Sequence, residues 1–195
     1  YAGGAGGYLD CLGYPFCRGR IFDVVEKDEG QYEDIKEVFW VTGAAMFIRL
    51  KDYRESGGLD KFFFAHMEEI DLQWRMQLAG WRIVVEPRSV VYHLGGGTLQ
   101  QSAHKIYLNH RNNLAMLFKC ASPMQRAVVA VVRPATDMLE AFVNLVTLHP
   151  HRAWAIVRAW GEFIAWHGAL GRKRKAVVRK KRVDNIYRYS IILRY

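Results

Sequence analysis

Hydrophobic positions change their period several times along the chain, and each change predicts an element. The clearest helical pattern runs from Glu68 to Leu78. Ile70, Trp74 and Leu78 repeat at i,i+4, while Leu72, Met76 and Ala79 widen the buried side. Glu68, Asp71 and Arg75 fall on a second face, and Gly80 is placed to end the helix. Upstream, Phe39 to Ile48 is mostly apolar, with Val41 and Thr42 favouring extended backbone. It predicts a buried strand with Gly43 inside it, where a missing Cβ allows close approach of a backbone or a ligand. Lys51 to Ser56 predicts a short helix or turn, closed by Gly57-Gly58. Trp81 to Val85 and Ser89 to His93 predict short strands on either side of Pro87, and Gly95-Gly96-Gly97 predicts a sharp turn.

Three longer helical patterns follow, at about 102–119, 124–148 and 151–169. Pro134 kinks or splits the second, and Pro150 separates the last two. Arg133, Asp137, Glu140, Arg158 and Glu162 interrupt the last two, which makes poor membrane spans and better amphipathic helices. Trp154, Trp160 and Trp166 recur every six residues, so they do not form one narrow stripe. They suit a core or a membrane interface. Residues 1–39 read as loops and short elements punctuated by glycine. Within them, Gly13 to Arg20 is turn-rich, and fits either a structured loop or an active-site wall.

An apolar content of 51% is ample for a core in a chain of 195 residues. The formal charge of +9 is unevenly placed: residues 1–119 hold 14 Lys/Arg and 15 Asp/Glu, residues 120–195 hold 14 and 4. Eight positive charges fall between Arg172 and Arg182. Following Trp-bearing helices, that run suits anionic headgroups, and equally a solvated helix end. Nucleic acid comes third, because no recognisable binding module accompanies the charges. Cys11, Cys17 and Cys120 are odd in number and lack paired spacing, which argues against a disulfide framework or a zinc ribbon and for a reducing compartment. The chain shows no signal peptide and no initiator Met, so a preceding N-terminal region is expected.

Two features carry candidate chemistry. Glu68, Glu69 and Asp71 cluster at a helix start, where the helix dipole favours carboxylates. An ionised, rigidly held carboxylate there is placed as a general base; the plainer reading is a solubilising N-terminal charge preference. His93 ends a strand before three glycines, where α/β proteins place ligands, and a neutral imidazole could bind a divalent metal. No convincing partner pair appears upstream, since Asp23 and Asp28 are too far apart.

The series TGAAMFIR, GGLDKFFFAHMEEIDLQWRMQLAGW, YHLGGG and HRNNLAML resembles the inverting family 2 glycosyltransferases of the GT-A class. It is most similar to their rhamnosyltransferase-like bacterial branch, which builds cell-surface polysaccharides. The resemblance covers residues 1–119. It implies an α/β fold: the C-terminal portion of a GT-A nucleotide-diphospho-sugar transferase domain at 1–119, followed by amphipathic helices at 120–170 and a basic tail at 171–195. It also implies that the nucleotide-binding strands and a DxD metal motif lie in a missing N-terminal half, so that this chain alone turns over little and is marginally stable.

By the same resemblance, Glu69 takes the catalytic base position, where the family usually has aspartate. The extra methylene changes the reach, and errors near 1 Å matter in catalysis. Glu68 lines the acceptor side and Asp71 orients or supports, with Arg75 paired to these carboxylates. Gly43 and Ala44 match the edge beneath sugar and acceptor. Arg18 and Arg20 flank the diphosphate or an acidic acceptor. His93 completes the coordination of Mn²⁺ or Mg²⁺. The implied partners are a nucleotide-diphospho-sugar donor and a saccharide or lipid-linked acceptor, with an anionic membrane surface as a further candidate and no nucleic acid. The implied place is the cytoplasm, or the inner face of the cytoplasmic membrane as a peripheral protein. The alternatives are a non-catalytic membrane- or polyanion-binding module, and a degenerate glycosyltransferase relative.

Overall fold

Gly7 has no side chain because the Trp40 indole occupies the space a Cβ would need. Around that contact the computed structural model, which describes residues 5–92 and 102–194, builds a small antiparallel meander. Its strands are β1 (Gly7–Leu9), β2 (Pro15–Cys17), β3 (Arg20–Ile21) and β4 (Val24–Val25), in that order. Tyr8 pairs with Phe16 across β1 and β2. Asp10 closes the turn between them: its buried carboxylate accepts hydrogen bonds from the amides of Leu12 and Tyr14 at 3.0 and 2.7 Å. A second pair joins β5 (Lys36–Glu37) to β6 (Val84–Val85). Helix α1 spans Leu50–Glu55 and α2 spans Glu68–Leu78.

Helix α2 is buried almost all round. Leu72 and Met76 join Val38, Ile83 and Val85 in one apolar cluster, and Trp74 meets Phe39 edge-on. Its glutamines serve the neighbouring backbone. Gln73 accepts from the Val41 amide at 2.7 Å and donates to the Val41 carbonyl at 2.8 Å, and Gln77 donates to the Phe39 carbonyl. This corrects the strand expected at Phe39 to Ile48. Only Trp40 makes a ladder contact, a bridge to Gly7. Beyond it Gly43–Ala45 is a 3₁₀ turn, capped by the Thr42 hydroxyl. Side chains from α2 satisfy backbone groups that a strand would have offered to a sheet partner. The strand expected at Trp81 to Val85 shrinks to β6. Ser89 to Tyr92 is irregular; His93 and Gly95 to Gly97 lie outside the described residues.

The remaining helices are α3 (Ala103–Cys120), α4 (Pro123–Val146), α5 (Pro150–Ala165), α6 (His167–Ala176) and α7 (Ile191–Arg194). Serines cap two of them: Ser102 accepts from the Lys105 amide and Ser122 from the Gln125 amide. Pro134 is carried inside α4, which runs on as one helix. The pattern expected at 151–169 instead divides into α5 and α6 at Trp166.

The described elements form a mixed α/β fold of small sheets and several helices. The chain divides into two compact units. The first comprises Tyr1–Lys61, Glu68–His93 and Val178–Tyr195; the second comprises Phe62–Met67 and Leu94–Val177. In the first, the amides of Lys180 and Lys181 donate to the Leu78 carbonyl at the end of α2, one of the acceptors a helix leaves open. In the second, Tyr107 and Leu108 of α3 pack on Ala155 and Ala159 of α5. Arg174 of α6 donates to the carbonyls of Phe118, Lys119 and Ala121, closing the end of α3.

Candidate active site

Glu68 and Glu69 open α2, in the first unit. The Gly43–Ala45 turn packs on the Glu69 stem: a Cβ at Gly43 would lie 3.8 Å from Glu69 Cβ. Sequence positions 26 residues apart thus meet. Glu68 Oε2 and Glu69 Oε2 are both buried without a hydrogen-bond partner. Burial, and next the nearby Glu68 charge, pushes the Glu69 carboxyl up to about 7. Burial also raises Glu68. The helix start favours the ionised form, and here desolvation outweighs it. The carboxylate expected to be fully ionised at neutral pH is therefore poised near half-protonation. That value suits a group that must both accept and release a proton near pH 7.

Asp71 faces away from solvent and is held by Arg75, whose Nε lies 2.9 Å from Asp71 Oδ2. The rest of the guanidinium donates to the carbonyls of Ser56 and of Gly58. This pair fixes the loop after α1 to α2. Ala44 donates its amide to Thr42 Oγ1. Arg18 pairs with Asp34 at 2.5 Å and lies over the Tyr32 ring, with Nη1 buried and without a hydrogen-bond partner. Arg20 donates to the Phe22 carbonyl. The structure thus brings together Glu68, Glu69 and Gly43, and places Arg18 and Arg20 in the meander with local partners. His93 lies outside the described residues. Among the described residues, no group of three or more His, Cys, Asp or Glu could hold a metal ion.

Two curated proteins match part of the chain. Both are N-acetylglucosaminyl-diphospho-decaprenol L-rhamnosyltransferases of Mycobacterium tuberculosis, from strains CDC 1551 / Oshkosh and ATCC 25618 / H37Rv. Each is 27% identical over 113 residues, covering 57% of this chain and 36% of the relative. The chain therefore spans about a third of the length of the curated relatives it matches. This is distant, partial homology to a rhamnosyltransferase. No family model matches, and no solved structure matches.

Sequence reasoning missed two polar constellations, both in the second unit. Asn112 Nδ2 contacts the carbonyls of Phe63, Ala65 and His66 at 2.7–2.9 Å, and Arg111 adds bonds to those of Phe62 and Phe63. They hold a loop in which Phe64, His66 and Met67 all have positive φ, each a strained state for a side-chain-bearing residue. The other constellation is interior. Arg133 makes a two-pronged pair with Asp137 at 3.1 and 3.2 Å and reaches Asn113 Oδ1 at 2.5 Å. Asp137 also accepts from Trp160 Nε1, and His110 lies 3.5 Å from it and 3.4 Å from Glu140. Burial opposes charge on His110, but the two carboxylates prevail and raise it to about 9. The signal available in sequence was an Arg and an Asp at i,i+4 inside a mostly apolar helix.

Proposed function

We propose that this chain carries the base-bearing part of a glycosyltransferase that moves a sugar from a nucleotide-diphospho-sugar to a saccharide or lipid-linked acceptor. One observation carries the reading: Glu69, at the start of α2, has a desolvated carboxyl whose Oε2 is buried without a hydrogen-bond partner, and burial pushes its pKa up to about 7. The distant homology to a rhamnosyltransferase whose name includes a diphospho-decaprenol supports the reaction class. In this mechanism Glu69 takes the proton of an acceptor hydroxyl. The oxygen forms a bond to the anomeric carbon while the bond to the diphosphate breaks on the opposite face. The nucleoside diphosphate leaves with the bonding pair, and configuration inverts. Glu68 lines the acceptor side and keeps the Glu69 pKa high by its charge. Asp71 and Arg75 position the helix start. Mn²⁺ or Mg²⁺, with His93 as a ligand, belongs to the proposal, and no step above runs through it.

The test is transfer from a panel of nucleotide-sugars by the protein that carries this chain, beside Glu69→Gln and Glu69→Asp. The expected result is a loss in Glu69→Gln of about 10²–10⁴-fold in kcat, partial activity in Glu69→Asp, and an acid limb near pH 7 in the unaltered protein. Full activity in Glu69→Gln would move the base elsewhere.

A further inference from the structure

Helix α4 is turned inside out relative to an ordinary surface helix. Its inward stripe is Val129, Arg133, Asp137 and Ala141, at strict i,i+4 spacing, and the two charged residues are 1% and 0% exposed. Its outward positions are apolar. Met124, Val128, Val131, Leu139, Phe142 and Val146 all face solvent, with Val131 76% and Phe142 60% exposed. At 1.5 Å per residue this face runs roughly 33 Å, and with exposed Leu145 and Val143 at its two edges it sweeps an arc of roughly 160° at 3.6 residues per turn. A soluble helix of this composition would bury that arc and expose the charges. Here the charges have interior partners, Asn113, His110 and Trp160, which leave the apolar arc outside.

We infer that the outward face of α4 is a membrane-seating surface, lying in the headgroup region of an anionic bilayer. Three observations select lipid over a second copy of the chain. The arc is too broad for a coiled-coil seam, which uses about two positions in seven. Its margins carry Ala127, Val132, Thr136 and Val143, where a helix pair would use Glu and Lys to set register. The unit is strongly basic: residues 102–177 hold eleven Lys/Arg against Asp137, Glu140 and Glu162 alone. At the end of α4, exposed Leu148 and Trp154 flank exposed Arg152, an apolar, indole and cationic grouping suited to the headgroup layer. No described helix is long and apolar enough to cross a membrane, so α4 lies along the surface. The inference stands on the second unit and does not depend on sugar transfer.

The experiment is co-sedimentation of the 195-residue chain with vesicles of phosphatidylcholine alone, and of phosphatidylcholine with phosphatidylglycerol. A Val131→Asp, Phe142→Asp double variant is run beside it, with circular dichroism and sedimentation velocity on both proteins. The chain is expected to pellet with the anionic vesicles. The variant, with an unchanged helical spectrum, is expected to bind about tenfold more weakly or worse, because two charges enter the buried face. No binding by the unaltered chain overturns the inference. So does equal binding by the variant, which would leave the basic residues acting alone. A dimer that the substitutions convert to monomer would assign the face to a second copy instead.

Discussion

Helices α2 and α4 each contain a buried Asp–Arg pair at i,i+4, set in opposite order and opposite surroundings. In α2, Asp71 precedes Arg75 and the helix is buried on nearly every side, with Gln73 and Gln77 inside beside its apolar residues. In α4, Arg133 precedes Asp137 and the pair itself forms the inward face. Arg75 ties α2 to backbone carbonyls of its own unit's loop, whereas Arg133 and Asp137 tie α4 to side chains of α3 and α5. A helix's apolar stripe therefore does not by itself say which side is interior. The placement of its partners decides.

The sharpest way to break this comparison is Arg133→Met. It leaves Asp137 buried with reduced compensation, and thermal melts should show a loss of about 3–5 kcal/mol, largely recovered in the Arg133→Met, Asp137→Leu double variant. Equal losses in both variants would show that packing, not charge, sets the cost. A second experiment uses Glu69. Its pKa is raised in the folded protein, so ionising it costs stability as pH rises from about 4.5 to about 7, and the cost is complete above that. Glu69→Gln should therefore stabilise the chain at pH 8 by on the order of 3 kcal/mol, and by almost nothing at pH 4.5. A gain independent of pH would refute the desolvated carboxyl.

His110 responds to pH by the opposite rule. Its pKa is raised by the carboxylates that face it, so its contribution is full below about 6.5 and is lost as pH climbs through about 9. Asp137, held down to about 2 by His110 and Arg133 against the opposing effect of burial, gives way only as pH falls below about 4. Substituting His110→Gln should flatten the alkaline slope while leaving the Glu69 slope in place, which pH-dependent melts can separate. The smallest effect belongs to Val131→Asp with Phe142→Asp. Both side chains are exposed, so the melting free energy should move by no more than about 0.5 kcal/mol.

Sequence revealed α2 almost to the residue, because its apolar period, acidic start and terminal glycine agree. The apolar period placed α3 and α4 at about 102–119 and 124–148, close to the observed Ala103–Cys120 and Pro123–Val146. What α4 faces was not legible, since Asn113, His110 and Trp160 lie on other helices and only the fold brings them to Arg133 and Asp137. The stretch Phe39 to Ile48 misled because local β preference does not reveal that Gln73 and Gln77 will take its hydrogen bonds. At the candidate site, the acidic cluster was visible as a pattern. The proximity of Gly43 and the upward shift of Glu69 come from tertiary burial, which no spacing encodes.

Asp10 holds a further consequence. Its second carboxylate oxygen accepts the amide of Ile191 at 3.0 Å, across 181 positions of sequence, and Tyr187 donates its amide to Leu9 beside it. Contacts of such separation close late, because the intervening chain must first be ordered. On a translating ribosome, α3 to α6 emerge and find each other while the meander still lacks its last strap. The first unit thus waits for the second to finish. A chain stopped at residue 177 should keep the helical signal of α3 to α6 and lose hydrogen-exchange protection at Gly7 and Val38; protection retained there would show that the strap is dispensable.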